Sequence, residues 1–482
     1  MKLTTLMEAL PGVQVSGVLP DSVNALEYDS RRVAPGTLFI ALRGAQSDGH
    51  DFAAQAVERG APVVLLEQAL ELPSPCVQLI VPDTRVAMAD LAAAFYGQPA
   101  RHLKLVGVTG TNGKTSVAFL LRALFIALGK RCGLMGTVEY DLGDRVLPAS
   151  RTTPESLELQ RHLAAMRDAG CEVAVMEVSS HALLQHRVRG LDFTVAGFTN
   201  LTQDHLDYHG DMEQYFKAKQ RLFSDHSPGS AVVNGDDEYG RRIAASFEAR
   251  TVGEAEAADL LIESVELGQS GSRFRLAGIE FTMPLIGCHN VANAALALGM
   301  IEALGVDMKQ CVDPLSAVEP VPGRLEPIQA GQPFAVYVDY AHTDDALRQV
   351  LCALREITPG RLHVVFGCGG NRDRGKRPKM GAVAAQLADA VMITTDNPRH
   401  EDPAIIADHI VEGCAEVRSH GWQVELDRQR AIDEVLRAAE PGDTVLLAGK
   451  GHEAYQEIND MVLPFDDRET ARSILSALNE AV

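Results

Sequence analysis

Apolar runs of strand length recur along almost the whole chain, each ending in glycine or polar residues, and amphipathic stretches of helical length separate them. That alternation restricts the fold more than any other feature. Parallel strands need helical crossovers and are buried on both faces, so the pattern predicts parallel α/β sheets. Early in the chain TLFIAL, APVVLLE and VQLIVPD read as strands, and a helix is expected from Val86 to Tyr96, before the stop Gly97-Gln98-Pro99. LKLVGVTG, EVAVMEVSS, FTVAGFTN and SAVVNGDD follow, their tips lying where a doubly wound sheet collects its ligands. Beyond Leu260 the apolar residues alternate in SRFRLAG and IEFTMPLIG around the turn-like GQSGS, which predicts an antiparallel hairpin. Pro320, Pro322, Gly323 and Pro327 mark a linker, and AVYVDYA, LHVVFGCGG, VMITTDNP and TVLLAGKG supply further strands. The expected organisation is three α/β domains, 1–88, 89–327 and 328–482, without internal repeats.

A chain of 482 residues exceeds one ordinary core, which agrees with that division. Its formal net charge of -21 disfavours nucleic acid or an acidic membrane face as a partner. A small anion needs a local basic cluster instead, and NRDRGKRPK, Asn371 to Lys379, is one. The 8 cysteines form no CxxC pair, as suits reduced thiols in the cytosol. The start, MKLTTLMEALPGVQ, lacks the apolar run of a secretion signal, and no uncharged apolar stretch has spanning length. A cytoplasmic protein is expected.

GVTGTNGKTS, Gly107 to Ser116, supplies the sharpest chemical signal. The usual phosphate-loop spacing puts a glycine where Val108 stands; here glycines occupy Gly107 and Gly110. A strand, a turn tolerating tight backbone and a helix aiming its first N–H groups at phosphates are all that the physics requires. LKLVGVT is the strand, and Ser116 to Leu128 continue at helical spacing. Gly110, Thr111, Asn112 and Gly113 would wrap the phosphates, Lys114 would reach the β/γ-phosphates, and Thr115, beside Ser116, would take magnesium.

Glu177 ends an apolar strand, where a carboxylate is costly to bury without a cation; magnesium or a salt bridge would serve. His205, Asp207 and His209 alternate, and on an extended strand they would share one face, which suits either metal ligation or a structural or substrate-contacting role. Lys217 and Lys219, about 200° apart on a helix, cannot both face one site. Asp339 and His342 follow an apolar strand, with Thr343 or Asp344 as a helix cap. In DNPR, Asp396 to Arg399, the arginine suits a carboxylate; in GKGHE, Gly449 to Glu453, the glutamate suits an ammonium group.

Together GTNGKT, MEVSSHAL, TNLTQDHLDYHG, GCHNVANA, GRLE, VDYAH, GCGGNRDRGKRP, DNPR and GKGHE closely resemble the Mur ligases, the ATP-dependent amino-acid ligases of peptidoglycan synthesis. The likeness spans all three blocks and is strongest to the member that adds the third residue of the stem peptide. It implies a central P-loop doubly wound sheet flanked by an N-terminal UDP-binding α/β domain and a C-terminal Rossmann-like α/β domain. It implies ATP and Mg2+ as cofactors, UDP-N-acetylmuramoyl-L-alanyl-D-glutamate and meso-2,6-diaminopimelate as substrates, an acyl-phosphate intermediate, and a monomer. Lys114, Thr115 and Glu177 would serve phosphate and a first magnesium, and His205 a second. Lys219 matches the family's carbamylated lysine. Asn290, Arg324 and Asp339 match positions contacting ATP. Ser30 and Arg31 in YDSRRV match the UDP-binding strand, and Thr152, Thr153, Ser179, Gln185 and Arg187 the muramoyl dipeptide. Arg377, Asp396, Asn397, Pro398, Arg399, Gly449 and Glu453 match positions around the incoming amino acid. A folylpolyglutamate synthase would share the loop but lack the first domain and DNPR, and a nucleotide-driven switch would hydrolyse ATP without an amine acceptor.

Overall fold

The computed structural model describes residues 1–44, 47–73 and 76–480. The chain is α/β throughout and divides into two compact units, the first holding 1–109, 125–197 and 217–231, the second 110–124, 198–216 and 232–482.

The first unit opens with a five-stranded sheet ordered Gln14–Ser16, Val77–Ile80, Val63–Leu66, Thr37–Ile40, Ala25–Glu27, parallel except for its first strand. Alternate residues of its apolar runs face opposite sides. Leu38, Ile40, Val63 and Leu65 pack with Ala87, Met88 and Leu91 of the helix Thr84–Phe95, whereas Phe39, Val64 and Leu66 pack with Ala53 and Ala56. Asp83 caps that helix through the N–H groups of Arg85 and Val86, which starts it two residues ahead of the expected Val86. In the same unit Val173–Glu177 pairs in parallel with Lys104–Thr109 on one side and Cys132–Met135 on the other. Glu177 thereby stands at a strand end, level with Val108.

In the second unit the expected hairpin is present: Leu260–Gly268 and Gly271–Leu276 pair antiparallel, followed by Ile279–Met283. A six-stranded sheet then runs Glu326–Pro327, Ala335–Asp339, Thr444–Ala448, Leu362–Phe366, Ala390–Ile393, Trp422–Val424, parallel except at its first strand. The helices Asp344–Ile357, Lys376–Leu387 and Pro403–Val417 cover one face, and Arg428–Ala438 and Asp467–Glu480 the other. This doubly wound arrangement brings the tips after Asp339, Ile393 and Ala448 to one sheet edge, as parallel strands must.

Candidate functional site

The glycine-rich loop lies in the second unit. Gly110 has φ +149° and Gly113 φ +85°, and a Cβ on either would overlap a neighbour, Thr199 Oγ1 and Asn293 Oδ1 respectively. The loop is braced by the tip of FTVAGFTN, one of the strand ends expected near the ligand, through Thr199 and Asn200, to which the sequence pattern attaches no individual role. Thr111 N donates to Asn200 O at 2.8 Å, Asn112 N to Asn200 Oδ1 at 2.9 Å, and Thr199 Oγ1 to Asn112 O at 2.6 Å. The helix Lys114–Ala127 begins two residues before the expected Ser116, with Val117 N bonded to Gly113 O at 2.9 Å. Its opening turn therefore starts directly at the loop, the arrangement that suits a phosphate. Lys114 Nζ curls back onto the carbonyls of Gly110 at 3.0 Å and Thr111 at 2.8 Å, while Thr115 and Ser116 are buried.

Arg324 reaches the same loop: its Nη2 donates to Thr115 Oγ1 at 3.2 Å and its guanidinium covers the Tyr340 ring at 4.6 Å. Asp339 is occupied in shaping the turn, accepting from Leu325 N at 2.7 Å and Ala341 N at 2.8 Å. Burial pushes its carboxyl up, against the pull of Arg324 and these two amides. Asn290 is buried, with Nδ2 donating to Ile286 O at 2.9 Å. Asn112 is also held by Asp345 Oδ2 at 3.0 Å, beyond the helix cap that proves to be Thr343.

The histidine reading needs correction. His205 has φ +54° and precedes a short helix, Leu206–His209, so His205, Asp207 and His209 do not alternate along a strand. His209 N instead bonds His205 O at 3.0 Å, and both rings lie against Tyr215, with centroids 6.3 and 4.8 Å away. The cause is backbone geometry: a left-handed residue followed by i to i+4 bonding closes a turn that period-two reasoning cannot foresee. Among the described residues no three His, Cys, Asp or Glu side chains form a ready cation cage. His205 Nε2 lies 3.4 Å from Asp204 Oδ2. Burial alone would raise Asp204, but His205, His342 and Lys376 together bring it below the usual carboxylate range.

In the first unit Glu177 is 1% exposed and accepts from Thr137 N at 2.8 Å and Thr137 Oγ1 at 3.1 Å. Thr137 Oγ1 is also 3.1 Å from Thr152 Oγ1. Thr153 Oγ1 donates to Glu177 O at 2.8 Å and accepts from Ser179 N at 3.0 Å, and Ser179 caps the helix Ser180–Leu184. Arg187 bonds Thr153 O at 2.9 Å and Gln185 Oε1 at 2.7 Å. One network thus joins Glu177 to the five positions expected along the dipeptide. The buried Glu155, to which the sequence pattern gives no role, adjoins this network through Arg187 at 3.0 Å and also pairs with Arg85 at 3.2 Å and Arg151 at 3.5 Å. Ser30 stands apart, donating to Gln55 Oε1 at 2.8 Å, and Arg31 is exposed and paired with Asp29 at 2.8 Å. On the helix Met212–Ser224, Lys219 is 1% exposed and Lys217 exposed, the opposition their spacing requires.

The amino-acid positions, again in the second unit, gather where Ala390–Ile393 and Thr444–Ala448 end. Asn397 Nδ2 donates to Glu453 Oε2 at 2.8 Å, and Asn397 N to Asp396 Oδ1 at 2.6 Å. Gly449, at φ +108°, admits Asp396, whose Oδ2 would lie 2.6 Å from a Cβ there. Arg399, left-handed after Pro398 at φ +53°, pairs through Nε with Glu457 Oε2 at 2.8 Å and donates from Nη1 to Gly370 O at 2.9 Å. Arg377 is wholly buried and held by Glu401 at 3.0 and 3.2 Å, an environment that draws the Glu401 carboxyl down to about 2, chiefly through the Arg377 hydrogen bonds. Glu401 and Glu457 carry no pattern in the sequence that marks them as partners.

Three descriptions of known families match consecutive parts of the chain: "Mur ligase family, catalytic domain" over 22–96, "Mur ligase middle domain" over 108–301 and "Mur ligase, glutamate ligase domain" over 323–451. The UDP-N-acetylmuramoyl-L-alanyl-D-glutamate–2,6-diaminopimelate ligase of Geobacillus thermodenitrificans is 47% identical, over 98% of this chain and 99% of that protein. A solved structure of a ligase with the same name is 34% identical and covers 98% of this chain and 99% of its own, with a TM-score of 0.68. The Acinetobacter baumannii ligase that adds D-alanyl-D-alanine to the diaminopimelate-containing precursor is 22% identical with a TM-score of 0.65, covering 100% of this chain and 98% of its own; it speaks for the fold alone.

Proposed function

Because the chain belongs to the Mur ligase family, we propose that it joins meso-2,6-diaminopimelate to the D-glutamate of UDP-N-acetylmuramoyl-L-alanyl-D-glutamate at the expense of ATP, a step of peptidoglycan precursor synthesis. The observation that carries the reading is the tip cluster of Asp396, Asn397, Arg399 and Glu453, a cation and carboxylates suited to an amino acid, in a chain related over its whole length.

A carboxylate is inert towards amines until one oxygen becomes a good leaving group. A carboxylate oxygen of the D-glutamate bonds to the γ-phosphorus of ATP as the bond to the β-phosphate oxygen breaks and ADP departs. The neutral amine of diaminopimelate then attacks the acyl carbon, forming the amide as orthophosphate departs with that oxygen. Lys114 and the loop Gly110–Ser116 would hold the phosphates, with Asn290, Arg324 and Asp339 around the nucleotide. Thr152, Thr153, Ser179, Gln185 and Arg187 would line the dipeptide, and Ser30 and Arg31 the UDP. Arg399 would receive the distal carboxylate of diaminopimelate and Glu453 an ammonium group; Arg377, held by Glu401, would act by fixing the tip loops.

Magnesium belongs to the same proposal. The fixed, buried carboxylate of Glu177 and the Thr115 hydroxyl are oxygen donors of the kind a first magnesium takes. A carbamate on Lys219 would add anionic oxygens, and His205, a nitrogen donor, would serve a second magnesium as the family likeness implies. When bound, magnesium would neutralise charge on the transferring phosphoryl group. Three domains, at 1–88, 89–327 and 328–482, belong to the same proposal; three consecutive matched segments favour the number, while the first runs on to 96 and the third begins at 323. Monomeric action in the cytoplasm completes the reading; among the described residues no helix is long and apolar enough to cross a membrane.

Orthophosphate release measured with and without the UDP-muramoyl dipeptide, crossed with diaminopimelate, lysine and ornithine, tests the proposal. Release should require the dipeptide and diaminopimelate together. Hydrolysis indifferent to any amine, or equal turnover of lysine, would overturn it.

A further inference from the structure

Lys450 is 0% exposed, between the two glycines of GKGHE. A buried ammonium group is costly unless opposite charge and hydrogen-bond acceptors surround it. Its Nζ lies 3.1 Å from Asn397 Oδ1 and 3.5 Å from Glu453 Oε2, and 5.6 Å from the centre of the Tyr455 ring. The flanking glycines make this inward course possible. Gly449 and Gly451 have φ +108° and +54°, and a Cβ on Gly451 would come within 2.7 Å of Tyr340 Cβ.

The consequence falls on Asn397. Its Oδ1 accepts from Lys450 Nζ and, at 3.0 Å, from Glu457 N, so its Nδ2 is turned towards Glu453 Oε2 at 2.8 Å. With the ammonium removed, Asn397 Oδ1 would keep only the Glu457 amide as its donor, the orientation of the side chain would be held less firmly, and Glu453 would face Asp396 without its nearest cation. We propose that Lys450 is a positioning residue for the amino-acid half of the site: it fixes the amide of Asn397 and balances Glu453, so that both are oriented to receive the amino acid, which Lys450 itself does not touch. This rests on the assignment of Asn397 and Glu453 to the incoming amino acid.

The charges facing Glu453 come from several elements. Burial and the Asp396 carboxylate raise it, while Lys450 and Asn397 lower it. Tyr340, whose hydroxyl lies 3.5 Å from Glu453 Oε1, adjoins it from the end of Ala335–Asp339, Tyr455 from the following hairpin, and Arg428 from the helix behind. Removing Lys450 therefore moves the Glu453 titration to higher pH.

Lys450→Met and Lys450→Arg, in the full-length enzyme, test this by two readouts. The first is the Michaelis constant for each substrate and the pH profile of kcat/KM for diaminopimelate. The second is the titration of Glu453 in the ligand-free protein, followed by 13C NMR of labelled carboxylates and assigned with Glu453→Gln. For Lys450→Met we expect the diaminopimelate KM to rise at least tenfold, ATP and dipeptide KM to stay within twofold, and the acid limb and the Glu453 titration to move up together. Lys450→Arg, which keeps the charge but not the reach, should leave the titration in place and raise the diaminopimelate KM less; if the methionine variant does not fold, this variant decides alone. An unchanged diaminopimelate KM, or equal rises for all three substrates, would overturn the proposal. Wild-type protein that uses no diaminopimelate would sink the functional reading instead, whatever the NMR titration gives.

Discussion

Replacing Gly110 by alanine isolates the geometry on which nucleotide binding depends. Two costs can be read from the structure. At φ +149° a residue with a Cβ sits in a region that costs about 1–3 kcal/mol. The new methyl would also occupy the space of Thr199 Oγ1, whose 2.6 Å bond to Asn112 O would break, at about 0.5–1.5 kcal/mol. In the free protein the loop can relax to avoid both. A bound triphosphate demands the tight conformation again, so the cost appears as lost affinity, about 10- to 1,000-fold at about 1.4 kcal/mol per decade. Calorimetric titration with a non-hydrolysable ATP analogue measures it, and Gly129→Ala supplies the control. Gly129 has φ +76° and no atom within 4 Å of where an added methyl would stand, so its substitution should cost about 1–2 kcal/mol of stability and leave nucleotide affinity alone. Affinity of Gly110→Ala within threefold of wild type would refute the reasoning, because the bracing by Thr199 would then be dispensable.

Arg399→Ala should raise the KM for diaminopimelate about 10- to 150-fold, the worth of a charged hydrogen-bonded contact, and weaken its preference over lysine while ATP affinity stays put; steady-state kinetics with both amino acids decides, and unchanged selectivity counts against the assignment. Lys219→Ala, deleting the candidate carbamate, should lower turnover about 100-fold and recover in part with added acetate or formate; absence of rescue by any small carboxylate leaves carbamylation without support. Glu401 titrates at about 2 when folded, below the ordinary carboxylate range, so its contribution to stability is complete above that range and is lost as pH falls towards 2. Urea unfolding of Glu401→Gln at pH 6 and pH 3 should accordingly show a deficit at pH 6 that shrinks at pH 3, and a deficit equal at both would contradict the Arg377 pairing.

Burial periodicity made the strands legible, because a strand covered on both faces must be apolar at consecutive positions, as VVLL and TVLLA are. Helix starts were less so. Asp83 recruits Thr84 and Arg85 into a helix that the apolar spacing alone begins at Val86, and the phosphate loop extends its helix back to Lys114. Period-two reasoning failed at His205 since a single left-handed residue there converts an apparent strand into a turn of helix, and nothing in local composition announces that conformation.

The candidate site divides along the same line. Residues that are chemically conspicuous in sequence, such as Lys114, Glu177 and Arg399, could be named from their place at strand tips. Their partners could not, because Thr137, Glu155, Glu401 and Lys450 act through contacts between segments remote in the chain: Thr137 meets Glu177 across 40 residues, and Lys450 meets Asn397 across 53. Those partners determine what the conspicuous residues can do. A buried carboxylate such as Glu177 is a usable ligand only when its rotamer is fixed, and the paired donors of Thr137 N and Oγ1 fix it. Arg399 likewise offers its terminal nitrogens in one orientation because Glu457 holds its Nε. If this division is physical, exchanging a partner while keeping the conspicuous residue, as Lys450→Met does for Glu453, should alter substrate preference as specifically as exchanging the conspicuous residue itself, and with the same selectivity among the three substrates.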